Sequence, residues 1–415
     1  MTSVRRPVVV IGGGTSGCTV AALLAATTTR DIVLVESGNV SMHDDEPRFM
    51  DVINEYNTPP FAMVTLVEGG IAVPYAQANV LGGGSAINGM ILSGESPESV
   101  AGLTRLARAD EMGSVSRALV DAGGAPSRLW WNGGRWNPGR AVQHLEEEGR
   151  ISIVKQDAVL LTGDSGAVHE VHTENAVIAA DHVVMCAGAI ATPMLLLSSG
   201  MGAINPQIGV GLQDHPTIAF TMERVDDDHG VFDASVHLKG ATSSGGRLIV
   251  LAYERVSREI SSDALITVSL MNPESRGSVQ MQNDEISVNM NMLSTGADVV
   301  AMRESVQELL RVCGSSSVGR AVTKVSIDDR GTTADELGSM SDNDLDQWIR
   351  TNLSCVSHAS SSCSFAIDAE GGLRGFTNVT IADASGLPMV SSETPAASVT
   401  IEATRIGRSL GGKLA

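Results

Sequence analysis

Pro7-Val8-Val9-Val10-Ile11-Gly12-Gly13-Gly14-Thr15-Ser16-Gly17 is the stretch that decides how the N-terminal part of this chain folds. Its five leading apolar residues suit a parallel strand covered on both faces. The glycines that follow fit the spacing GxGxxG, and Cys18 to Ala26 supplies the small, apolar residues of a helix lying close on a sheet. A second strand, Ile32 to Val35, ends in Glu36. Gly12 permits the tight turn, Gly14 lets backbone approach a pyrophosphate, and Gly17 admits close helix–sheet contact. Thr15 and Ser16 open the helix, whose N-terminal N–H groups face an anion. Glu36 stands where a carboxylate accepts hydrogen bonds from both ribose hydroxyls. The complete strand–loop–helix–strand–Glu unit reads as a dinucleotide site, against the alternative of a glycine-rich turn in an ordinary α/β domain. By itself it does not separate a nicotinamide from a flavin.

Composition bounds the rest. The chain has 415 residues, 43% of them hydrophobic, enough for two or three lobes at roughly 100–200 residues each. Its formal net charge of -20 repels nucleic acid and anionic membranes. Aromatic residues make up 3%, too few for a broad stacking surface. Cys18, Cys186, Cys313, Cys355 and Cys363 are scattered without a CxxC pair, which points to a reducing compartment and away from a disulfide framework or a zinc site. Arg5-Arg6 and the partly apolar stretch behind it resemble a secretory signal, but that stretch carries the nucleotide loop, so cleavage would destroy the fold. No segment reaches the roughly 18 uninterrupted apolar residues of a membrane span. The expectation is a cytoplasmic protein with a small-molecule substrate, no nucleic-acid partner and no membrane span.

Five further stretches fall in a fixed order. Ala78-Asn79-Val80-Leu81-Gly82-Gly83-Gly84-Ser85-Ala86-Ile87-Asn88-Gly89 presents bare backbone to a flat ring or a phosphate. Gly188-Ala189-Ile190-Ala191-Thr192-Pro193 and the residues to Gly202 follow an expected strand, Asp181 to Cys186. Gly209 to Pro216 (GVGLQDHP) and Pro273 to Val279 (PESRGSV) come next, and Val379 to Pro388 (VTIADASGLP) lies near the end. Together with the first unit, these resemble the glucose–methanol–choline family of FAD-dependent oxidoreductases from residue 8 to about 408. The chain looks like a shortened, bacterial-type member.

That resemblance implies an α/β fold: a discontinuous Rossmann-like FAD-binding domain (1–100, 137–222 and 355–415) plus a substrate domain (223–354) with an antiparallel sheet backed by helices. Residues 101–136 would be a reduced lid or connection, so an open site and a bulky or partner-delivered substrate are expected. Ala264 to Leu270 and Ser278 to Gln282 alternate like strands, and Ala297 to Val312 has the spacing of a helix behind them. Residues 226–246 read as loop or hairpin tips. The resemblance gives the ADP half of FAD to Gly12, Gly14, Gly17 and Glu36. Asn79, Gly82, Gly83, Ser85 and Asn88 would lie near the pyrophosphate and isoalloxazine. Val159 would meet the adenine side through backbone, Asp383 and Ala384 the pyrophosphate and ribityl region, and Ala396 the flavin from the closing loop. Residues 85–100 contain no histidine, so the FAD is expected to be non-covalent.

Oxidising an alcohol by hydride transfer to flavin N5 requires a base for the hydroxyl proton. His358-Ala359-Ser360-Ser361-Ser362-Cys363 resembles the family's H-x-x-x-x-C segment, which makes His358 the expected proton acceptor. The partner position, His or Asn in the family, falls on Glu393 in Ser391-Ser392-Glu393-Thr394-Pro395, or on Thr394 if the register shifts. A carboxylate there would raise the pKa of His358 or take the proton itself. The second functional reading is a lyase, isomerase or decarboxylase on the same fold; the electron acceptor is left open. His169, His172 and His182 read as solvated rather than metal-binding. Trp130, Trp131 and Trp136 read as core, with a substrate wall as the other possibility.

Overall fold

The computed structural model describes residues 5–415 apart from 42, 57–60, 95–101, 165, 258, 261 and 284. The expected boundary at residues 100 and 101 lies outside the described residues. Val8–Ile11, buried at every position, is the middle strand of a five-stranded sheet. Its neighbours run in the order Ser152–Val154, Ile32–Val35, Val8–Ile11, His182–Met185, Val379–Ile381, and every pairing is parallel. Helix Thr15–Thr27 covers one face and packs along the last helix, Ala396–Leu414. The closeness is set by glycine: a Cβ on Gly17 would stand 1.8 Å from the carbonyl oxygen of Gly12, and one on Gly407 would stand 3.0 Å from a methyl of Leu23.

The chain also builds a six-stranded antiparallel sheet in the order Val322–Ser326, Thr217–Arg224, Asp263–Leu270, Arg247–Tyr253, Val236–Ala241, Ala125–Pro126. Helix Gly296–Cys313 packs behind Asp263–Leu270 and buries Ala301, Met302, Ser305, Val306 and Leu309, the i, i+3, i+4 face of an amphipathic helix. Ile249, Leu251 and Tyr253 alternate along their strand and share one face, which lines a large cavity. A third sheet, Val210–Leu212, Gly277–Gln282, Glu285–Asn289, Ala62–Thr65, Ala72–Tyr75, adds an N-terminal hairpin to strands from the middle of the chain.

Two details depart from the sequence reading. Val236–Ala241, inside the stretch read as loop, is a strand, because Val236 and Leu238 point into the core while Lys239 and Ala241 face out; only the Gly/Ser-rich residues after it turn. Residues 101–136 contribute more than a connection: Ala125–Pro126 is an edge strand, and helix Ser114–Asp121 packs on the six-stranded sheet. Trp130 is buried and stacks on Trp136 at 4.7 Å between ring centroids, so the tryptophan cluster fills core.

The N-terminus of helix Ser114–Asp121 is met by a buried carboxylate. Glu254 accepts the backbone N–H of Ser116 at 2.8 Å, and burial pushes its pKa up from 4.5 to about 7. A carboxyl raised in the folded state stabilises the fold while protonated and withdraws that stability as pH climbs from 4.5 through 7. The Glu254→Gln variant is expected to lose less stability than the wild type between pH 5 and pH 8, by about 3 kcal/mol. Urea unfolding of both proteins at the two pH values measures it; parallel pH dependence would refute it.

Candidate active site

A cavity of about 980 Å³ lies between the parallel sheet and the cavity-facing side of the six-stranded sheet. Gly12, Gly14, Thr15, Ser16, Glu36, Asn79, Gly83, Ser85, Asn88, Val159, Asp383, Ala384, Ala396 and His358 all line it. Gly17 and Gly82 stand behind the wall. Gly17 serves the helix–sheet contact already described, while Gly82 holds φ +98 with Asn137 pressed against it. Glu393 is absent from the lining, and Thr394 takes its place.

The Gly-rich end suits a dinucleotide diphosphate. A Cβ on Gly14 would find only Gly83 Cα, 4.0 Å away, and one on Gly84 would meet nothing within 4 Å, so bare backbone faces the cavity where an anion needs N–H groups. Thr15 and Ser85 tie the two glycine loops together through hydroxyls 2.6 Å apart. Glu36 accepts the N–H of Gly13 at 2.5 Å and of Gly38 at 2.6 Å, and burial raises its pKa. Asp383 turns its carboxylate away from the cavity: Oδ2 accepts from Gly188 N (2.7 Å) and the Thr192 hydroxyl (2.6 Å), Oδ1 from Ser385 N (2.8 Å). It is thus left to meet a cofactor through backbone, and its carboxylate anchors the start of helix Gly188–Ser198.

At the other end, His358 sits deep in the protein yet reachable from the cavity. Its partner is not a carboxylate. His215, fully buried, brings Nδ1 to 3.0 Å from Nδ1 of His358, and its Nε2 lies 2.8 Å from the carbonyl oxygen of Ser391. Asp214 holds both residues by their backbones, accepting from His215 N at 2.7 Å and His358 N at 3.0 Å, and takes the Tyr75 hydroxyl at 3.3 Å. Burial pushes Asp214 up to about 7 and His215 down to about 4. Burial, then the neighbouring His215, hold His358 well below the ordinary imidazole range. Ligand atoms of Asp214, His215 and His358 lie within 4.8 Å of one another, but the carboxylate is already engaged by the N–H groups of His215 and His358 and by the Tyr75 hydroxyl.

Glu393, expected beside His358, faces elsewhere. Its Oε1 pairs with Lys239 Nζ at 2.9 Å and its Oε2 accepts from Ser93 Oγ at 2.7 Å. Pro395 precedes the last helix, and the chain enters that helix with Thr394 turned inward, its hydroxyl donating to Ile91 O at 2.7 Å. His215 was the residue that sequence reasoning passed over. It lies in the stretch Gly209 to Pro216, quoted above only for its family resemblance, and nothing local marks its meeting with a residue 143 positions away. His169 and His172 lie on the hairpin Ala158–Asp164/Ala167–Thr173 beside Asp164 and Glu170, and His182 meets the Thr380 hydroxyl.

The cavity is also walled by Ile249, Leu251 and Met271 and by Phe49, whose ring meets Tyr253 edge-on at 5.7 Å. Phe49 opens helix Phe49–Tyr56, which is tied down by Arg255: the guanidinium bridges Asp51 (2.9 Å) and the buried Asp233 (2.9 Å).

Comparison with known proteins agrees with this layout. Residues 157–217 and 273–403 match the N-terminal and C-terminal profiles of the GMC oxidoreductase family. An uncharacterized GMC-type oxidoreductase of Rhodococcus erythropolis is 25% identical over 284 residues, 60% of this chain and 52% of that protein; the chain thus spans about half the length of the curated relative it matches. Among solved structures, pyridoxine 4-oxidase from Mesorbium loti superposes with a TM-score of 0.82 at 18% identity, over 98% of this chain and 99% of the other. Formate oxidase from Aspergillus oryzae gives 0.81 at 16% identity, over 99% and 98%. The protein is a member of the glucose–methanol–choline (GMC) oxidoreductases, a family that binds FAD.

Proposed function

We propose that this protein oxidises an uncharged, largely apolar organic alcohol with non-covalently held FAD, and that His358 accepts the hydroxyl proton. The observation that carries this is a neutral imidazole exposed to the apolar end of the cavity whose glycine-rich end suits a dinucleotide. FAD, when bound, supplies the hydride acceptor. Gly12, Gly14, Gly83 and Ser85 would hold the diphosphate, and Glu36 the ribose. Residues 1–100, 137–222 and 355–415 would carry the cofactor and 223–354 the substrate, in a reducing, cytoplasmic setting.

A base for this reaction must be unprotonated and within reach of the hydroxyl. Burial keeps His358 neutral at neutral pH, so no proton has to leave before substrate binds. Ile249, Leu251 and Met271 exclude water from the reacting face and offer nothing to balance a charged substrate. The likeness to pyridoxine 4-oxidase favours a ring-bearing alcohol, and the likeness to formate oxidase makes formate the competing substrate to test.

The purified protein should show oxidised-flavin absorbance that bleaches anaerobically with apolar primary alcohols and not with formate. A flavin that no alcohol or formate reduces would overturn the alcohol-oxidation reading in favour of lyase or isomerase chemistry. Replacing the proton acceptor, His358→Ala, should slow flavin reduction by about 10²–10⁴ with FAD content unchanged; normal reduction would remove His358 from the role. Glu393→Gln, which loses only a rim ion pair, should stay within about threefold of wild type. Gly14→Val fills the diphosphate cradle, and the variant should leave a desalting column without yellow colour; retained FAD would disprove the assigned cradle.

A further inference from the structure

We propose that His215 is a positioning residue that fixes the tautomer of His358, placing the proton of His358 on Nδ1 and leaving Nε2 as the lone pair that faces the cavity. The inference rests on the reading of His358 as the proton acceptor and specifies which atom does the accepting.

The assignment follows from counting protons along a chain of three groups. The carbonyl oxygen of Ser391 has only lone pairs to offer. Nε2 of His215, 2.8 Å from it, must therefore carry a hydrogen. His215 is buried on every side, and an imidazolium there would be costly to desolvate, so the ring is neutral and its Nδ1 is bare. Nδ1 of His358 lies 3.0 Å from that lone pair. Two lone pairs facing each other at this distance would repel; one N–H donating to the other nitrogen is a normal hydrogen bond. The proton of neutral His358 therefore sits on Nδ1. Its Nε2 has no protein partner among the described residues, and the ring lines the cavity.

The alignment is maintained from behind. Asp214 accepts the backbone N–H of both histidines, so one carboxyl group anchors both ends of the pair, and the rings meet edge-on at 89°. Unlike the carboxylate of a Ser–His–Asp triad, which stabilises the imidazolium by charge, His215 orients His358 as a neutral acceptor. When substrate is deprotonated, the O–H bond breaks and an N–H bond forms at Nε2; the Nδ1 proton stays in place, still donated to His215.

Long-range proton–nitrogen correlation spectra of the oxidised, FAD-loaded protein labelled with ¹⁵N-histidine report each ring nitrogen as protonated or bare. Expected at pH 7.5 are Nε2–H on His215 and Nδ1–H on His358, both neutral. His215→Phe removes the acceptor and should mix the tautomers of His358 and slow flavin reduction at least about tenfold at unchanged FAD content. His215→Asn keeps an acceptor near the Nδ1 position and should recover the Nδ1–H signal and most of the rate. Nε2–H on His358 in the wild type, or an unaltered His358 signal in His215→Phe, would overturn the proposal. If the phenylalanine variant does not fold, the wild-type spectrum decides alone. Should His358→Ala retain normal flavin reduction while the wild-type spectrum shows the expected tautomers, the proton-acceptor role would fail and the assignment of the protons would stand.

Discussion

A Cβ on Gly17 would stand only 1.8 Å from the Gly12 carbonyl oxygen, so the absence of a side chain there governs how close the first helix lies to the parallel sheet. Everything at the glycine-rich end follows from that closeness. It brings the helix N-terminus to the edge of the sheet, where Gly14 and Gly83 oppose each other with only backbone between them and the cavity. A Cβ on Gly83 would stand 2.7 Å from Gly14 Cα, so the two loops meet this closely only with glycine at position 83. The strands that frame this edge come from three distant parts of the chain, and their parallel registers leave Glu36 and Asp383 at the carboxyl ends of two strands of the same sheet. A dinucleotide site at the carboxyl ends of parallel strands is the general outcome of such a sheet.

The end of the cavity at His358 is governed by a different constraint, the cost of burying ionisable groups. Asp214, His215 and His358 are all removed from bulk water, and each responds by favouring its neutral form. The hydrogen-bond donors around Asp214 would ordinarily hold a carboxylate below its usual range, yet desolvation wins and pushes the group up to about 7. This matters for the histidines. A fully ionised carboxylate behind them would draw protons onto the rings, whereas a half-neutral one constrains their backbones with much less pull. The result is a pair of neutral imidazoles whose hydrogen-bond directions are fixed by a carbonyl group.

How much of this could be read from the sequence depended on whether the relevant partners are near in sequence. The first strand, helix and second strand were legible because their signals are local: Val8–Ile11 and Ile32–Val35 are continuous apolar runs, and the glycine spacing lies between them. The helix expected over Ala297 to Val312 is observed as Gly296–Cys313 for the same reason. Val236–Ala241 was missed because its alternation is short and sits between an acidic run and a Gly/Ser turn, where turn composition outweighs two buried residues. The edge strand Ala125–Pro126 owes its existence to its partner Val236 and His237; two residues carry no periodicity of their own.

The partner of His358 shows the limit most clearly. A linear motif assigns roles by position along the chain, and Glu393 stood at the position where a partner was expected. Side-chain direction, however, is decided by how the chain enters the next helix. Pro395 precedes Ala396–Leu414; Thr394 is then fastened inward by its hydrogen bond to Ile91, and the residue before it is carried to the rim, where Lys239 balances its charge. Pairing at the rim spares Glu393 the desolvation that a position beside His358 would impose. The space beside His358 goes instead to His215, a ring that can be buried neutral. What selects between a carboxylate and an imidazole at that place is the dielectric of the site, a property of the assembled fold that no single stretch of sequence contains.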